Sequence, residues 1–159
     1  MNTAYEKLLE HFEERELRYA AQEDRQSVTA DFRGEVGTFR VVARVDDADG
    51  LFQVFAYLPV RTPVGARPAI AEAIVRANFG LKVGKFELDM EDGEVLFQAA
   101  QVFLADGSGD GLSGDVIGRL IATSLAMLDR YAPAFLSVIY GNEPPRDAIR
   151  RIEADISLE

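Results

Sequence analysis

Apolar residues recur along this chain first with a helical period, then with the period of strands, then with a helical period again. Tyr5, Leu8, Leu9 and Phe12 fall at i, i+3, i+4 and i+7, with Glu6, Lys7, Glu10, Glu13 and Glu14 between them. That spacing predicts an amphipathic helix over 3–16. Residues 17–27 are mostly polar, with a short strand expected near 17–20. Alternation over 27–33 predicts a strand, which turns at Gly34–Gly37. In 38–45, Phe39, Val41, Ala43 and Val45 share one face; Thr38, Arg40, Val42 and Arg44 share the other. After the turn at Asp46–Gly50 comes 51–58, which is apolar on both faces until Pro59 and Pro63 end it. A strand of that kind belongs in the middle of a sheet.

The pattern then reverts to helix over 66–78, with Pro68 in the first turn, Ile70, Ala73, Ile74 and Ala77 as its stripe and Gly80 as a left-handed cap. Strand 85–90 alternates, with Phe86, Leu88 and Met90 expected inward. Asp92-Gly93 signals a hairpin, and the return strand 95–104 is again apolar on both faces. Strands 51–58 and 95–104 should therefore lie side by side at the centre, flanked by 38–45 and 85–90. A broad apolar face runs over 113–140 through Ile117, Ile121, Ser124, Leu128, Tyr131, Phe135 and Val138. Pro133 predicts a kink or break after Tyr131. A tail helix over 145–155 carries Ile149, Ile152 and Ile156.

These elements describe an α+β protein with an antiparallel sheet and helices packed on it, in the order α-β-β-β-α-β-β-α. The 159 residues suit a single domain, 1–159, with 143–159 as a short C-terminal tail. Charge narrows the function classes. Seventeen basic and 27 acidic side chains give a net −10, which repels phosphate backbones and disfavours nucleic acid as a partner. The start of the chain has no basic-then-apolar leader pattern, and no apolar run reaches the length of a membrane span. A cytoplasmic location is expected.

Candidate chemistry is sparse. Cys is absent and His11 is the sole His, so thiolate chemistry and multi-imidazole metal sites fall away. His11 reads as a boundary residue of its helix rather than a catalytic one. The acids of 46–49 read as a solvated turn. Asp106-Gly107-Ser108-Gly109-Asp110-Gly111 begins like a calcium loop but has Ser113 and Ile117 where an apolar residue and a bidentate Glu are needed. It reads instead as a linker leading to a helix capped by Ser113. Asn78 at a helix end is expected to satisfy nearby backbone, and Asp129 to join a surface ion pair or bond a neighbouring turn. No catalytic residue, metal ligand or cofactor site is singled out.

Particular strings within this order resemble the YbjN-domain family of bacterial sensory-transduction regulators. They are Thr38-Phe39-Arg40-Val41, Phe55-Ala56-Tyr57-Leu58-Pro59-Val60, Arg76-Ala77-Asn78-Phe79-Gly80-Leu81, Gly84-Lys85-Phe86-Glu87-Leu88-Asp89, Asp129-Arg130-Tyr131-Ala132-Pro133 and Val138-Ile139-Tyr140-Gly141-Asn142. The resemblance implies a fold like that of type III secretion chaperones, often homodimeric, and no catalytic residues.

The doubly apolar strands suggest a non-enzymatic binding or regulatory domain. One sheet face would take the helices, and the other would take a protein partner or a second copy. The candidate contact residues are Leu51, Phe55, Tyr57 and Phe97. Three other readings use the same chain: helices on opposite faces leaving no special surface, a small-ligand-binding protein, and a carboxylate-dependent enzyme.

Overall fold

Every segment of period two becomes a strand of one sheet; the first three helical segments pack on one face of it, and the tail helix packs against the second and third. The computed structural model describes residues 3–156, apart from the side chains of residues 155 and 156. Its strands are β1 (Ala20–Gln22), β2 (Ser27–Arg33), β3 (Thr38–Asp46), β4 (Leu51–Arg61), β5 (Lys85–Leu88) and β6 (Glu94–Val102). They form a six-stranded sheet in the order β1-β2-β3-β4-β6-β5, antiparallel throughout. The expected centre is found: β4 pairs with β3 on one side and β6 on the other.

The helices are α1 (Ala4–Glu14), α2 (Arg67–Asn78), α3 (Gly114–Gly141) and α4 (Pro145–Ile156). A capping box starts α1: the Glu6 amide donates to the Thr3 hydroxyl oxygen at 3.1 Å, and the Thr3 amide donates to the Glu6 carboxylate at 2.9 Å. Ser113 caps α3 through the Val116 amide, as its position before an apolar run suggests. Asn142, in a left-handed conformation, closes the far end of that helix.

Several expectations are corrected. Strand β4 does not end at Pro59 but runs through it to Arg61, with an irregularity in its pairing with β6 between Tyr57 and Arg61 that accommodates the proline. The short first strand lies at Ala20–Gln22, slightly after the anticipated 17–20. Strand β5 stops at Leu88, which leaves Met90 half exposed in the turn instead of inward. Of the kink or break expected at Pro133 there is no break: α3 runs through it without interruption. The proline removes one helical hydrogen bond, but Tyr131, Ala132, Ala134 and Phe135 around it are all buried, and their packing outweighs one lost bond.

One core results, between the helices and one face of the sheet. Phe39, Val41, Phe52, Val54, Val95 and Phe97 supply the sheet side; Leu8, Phe12, Ile70, Ile117, Leu128 and Phe135 supply the helix side. Phe86 is the hub of its aromatic part, edge-on to Phe97, Tyr131 and Phe135 at centroid distances of 5.0–5.3 Å. Residues from α1 and α3 join the same core, so the two helices do not divide between opposite faces of the sheet. Within the tail stripe Ile149 and Ile152 are buried; the side chain of Ile156 lies outside the described residues.

Two polar side chains fasten this layer. Asn78 ends α2 and bonds both backbone groups of Phe86: its amide nitrogen donates to the carbonyl at 3.0 Å, and its oxygen accepts the N–H at 2.7 Å. Asp129 accepts the amides of Glu35 and Val36, both at 3.0 Å, and so ties α3 to the β2–β3 turn. A side chain at Gly34 would collide with that carboxylate, since an added Cβ would lie 2.7 Å from Oδ1.

Candidate partner-binding face

The register that buries one set of side chains presents the alternate set on the opposite face. Across the centre of the sheet, Arg40, Tyr57 and Leu96 form one row, and Val42, Phe55 and Gln98 the next. Arg44, Gln53 and Ala100 follow, then Asp46, Leu51 and Val102. Val42, Leu51, Phe55, Tyr57 and Leu96 are half-buried, and none belongs to the core or packs against it. They cover one another in place of a helix. Val102, at the end of the patch, is 71% exposed.

Charged side chains rim the apolar centre and pair along the sheet surface. Arg40 meets Asp31 at 3.2 Å, and Lys85 meets Glu87 at 3.4 Å. Arg44 donates to the Gln53 side chain at 3.3 Å. At the edge, Arg61 bridges Asp92 at 2.8 Å and Glu94 at 3.9 Å. Burial pushes the Tyr57 hydroxyl above its ordinary pKa, and the nearby Glu94 and Glu87 carboxylates add to the shift. Tyr57 is therefore a neutral hydrogen-bond donor at physiological pH, standing among half-buried apolar groups.

Leu51, Phe55 and Tyr57 are gathered on this open face. Phe97 is not. It pairs with Ala56 and is fully buried against Phe86 on the helix side, and its chain neighbour Leu96 takes the open-face position beside Tyr57. The hairpin contained the signal for this. The turn is closed between Asp89 and Glu94 around residues 90–93, a register that sets Phe86 opposite Phe97; residues opposite one another share a face, so an inward Phe86 entails an inward Phe97.

The other reactive groups are dispersed. His11 is buried where α1 meets the start of α3, with its Nδ1 2.9 Å from an Arg15 guanidinium nitrogen. Burial lowers its pKa first, and the Arg15 charge lowers it further. Tyr131 donates to Glu153 at 3.1 Å; burial, then that carboxylate, raise its pKa to about 12. In the glycine-rich loop, Asp106 accepts bonds from Ser108, and Lys7 donates to the Gly109 carbonyl at 2.9 Å. Among the described residues no group of three or more His, Cys, Asp or Glu is arranged to hold a metal ion. No helix among them is long and apolar enough to cross a membrane.

Comparison with known proteins matches residues 4–137 to the YbjN family, described as "Putative bacterial sensory transduction regulator". A solved structure of YbjN, "a putative transcription regulator from E. coli", superposes with a TM-score of 0.59 at 12% identity, covering 79% of this chain and 85% of that one. At that identity the likeness is one of fold. No curated protein sequence matches the chain.

Proposed function

The chain belongs to the YbjN family, and from that premise we propose that it is a non-enzymatic, cytoplasmic adaptor or chaperone that pairs with a second copy of itself across the open sheet face and binds a protein partner. The observation that carries this reading is the apolar centre, half-buried and without a helix over it, formed by Val42, Leu51, Phe55, Tyr57 and Leu96. Leaving large apolar side chains in contact with water forgoes about 1.5–3 kcal/mol each at full exposure. A contiguous patch of this kind is a normal mark of an interface.

Charge supports self-pairing. A chain of net −10 repels its own copies over most of its surface. The open face differs, because Arg33, Arg40, Arg44, Arg61 and Lys85 there stand against Asp31, Asp46, Glu87 and Glu94. Two such faces can meet without like-charge repulsion, and the paired rim leaves few charges to desolvate.

Light scattering coupled to size-exclusion chromatography tests the reading. The native protein is expected at twice the chain mass, and Tyr57→Glu at the mass of one chain with an unchanged circular dichroism spectrum. A native protein that elutes as one chain at every concentration, or a Tyr57→Glu variant that stays paired, would overturn it.

A further inference from the structure

On the helix layer, away from the open sheet face, a second exposed apolar feature stands in a setting of opposite charge. Phe79 is 88% exposed and Val75, one turn earlier on α2, is 70% exposed. Phe79 is held outward by its neighbours. Asn78 is pinned to β5 through the backbone of Phe86, Gly80 takes a φ of +89°, and the Leu81 amide returns to the Asn78 carbonyl at 3.2 Å. The aromatic ring therefore cannot fold into the core without breaking these bonds.

Two clefts meet at that ring. One, of about 500 Å³, lies between the 79–83 segment and α3; the other, of about 460 Å³, lies between α2 and α4 with buried Ile149 at its base. Their cations are Lys82 and Arg130 in the first, and Arg76, Arg146 and Arg150 in the second. Among the described residues the carboxylates lining the clefts are Glu72 and Glu153, and both are engaged: Glu72 pairs with Arg76 at 2.8 Å, and Glu153 accepts the Tyr131 hydroxyl. With Arg76 paired and Arg130 engaged as well, Lys82, Arg146 and Arg150 still surround one exposed Phe, a local excess of positive charge in a chain with 17 basic and 27 acidic residues.

We infer that the Phe79 knob and its two clefts form a docking site for an acidic protein segment carrying an aromatic or aliphatic anchor. The cations supply the attraction and the steering; Phe79, Val75 and the cleft base supply the apolar contact. A long polyanion such as nucleic acid fits less well. The positive region is small, and the rest of the −10 surface would repel the flanking phosphates. A short segment engages the cations without crossing the acidic surroundings. The site goes beyond the pairing through the sheet and does not depend on it.

Random 12-residue peptides displayed on phage, panned against the native protein and counter-selected on an Arg146→Glu/Arg150→Glu double variant, provide the test. Enriched peptides should be rich in Asp and Glu with at least one large apolar residue. Fluorescence anisotropy should show their binding weakened about tenfold or more by Phe79→Ala, weakened similarly by the double charge reversal, and weakened by added salt. Tyr57→Glu should leave the affinity unchanged, which separates this site from the open sheet face. No enrichment, enrichment of neutral or basic peptides, affinity indifferent to Phe79→Ala, or an oligonucleotide that outcompetes every acidic peptide would each overturn the inference.

Discussion

Leu96 and Phe97 are neighbours in one strand and meet opposite fates. Phe97 is wholly enclosed among Phe86, the helices and the strands beside it; Leu96 stands half-buried beside Tyr57 on a face no helix touches. The same contrast holds across the whole sheet. One face is sealed by three helices, with α4 packed behind them, into a continuous core, whereas the other is sealed only by its own side chains and rimmed with paired charges. A sheet needs one buried face to fold. A second apolar face adds little to folding within one chain and is available for a partner.

The largest expected effect lies on the sealed side. Phe97→Ala removes a ring that touches Phe86 and leaves a cavity that close-packed neighbours cannot fill, so urea unfolding should show a loss of about 3–5 kcal/mol. A loss below about 1 kcal/mol would show that this face is not the tightly packed one.

Alkaline pH reports on the same side. Tyr131 is 3% exposed, and its pKa is about 12 in the fold against an ordinary value of 10.0. A group whose pKa is raised by folding contributes its stabilisation fully below the unfolded value and loses it as pH rises through the folded one. Stability should therefore fall by about 2 kcal/mol between pH 10 and 12. Tyr131→Phe should flatten that part of the profile, and an unchanged slope in this variant would remove Tyr131 as its source.

The smallest effect is expected on the open side, where it could also break the contrast. Phe55→Ala should cost the separated chain about 1 kcal/mol or less, because its ring is covered only by neighbours on the sheet surface. If the open face is an interface, the cost should grow with protein concentration in the same urea titration. A loss as large as that of Phe97→Ala in dilute protein would mean that the two faces are alike.

The chain's periodicities determined the elements, the central place of β4 and β6, and the antiparallel order around them. Alternation, proline and glycine act over a few residues and are fully written in the local sequence. The short polar β1 was harder to place, because three residues at a sheet edge carry too little apolar pattern to fix their ends. Asn78 could be read as a backbone fastener at a helix end, but its partner, Phe86, could not. The survival of α3 through Pro133 depended on burial around it, which no local propensity reports. Tertiary structure also decided that α1, α2 and α3 share one face, with α4 packed on α2 and α3. Helical period shows which stripe is apolar and says nothing of which side of the sheet receives it. Two chains with the same stripes could seal both faces or one, and only packing in three dimensions selected the arrangement that leaves Phe55, Tyr57 and Leu96 without a helix above them.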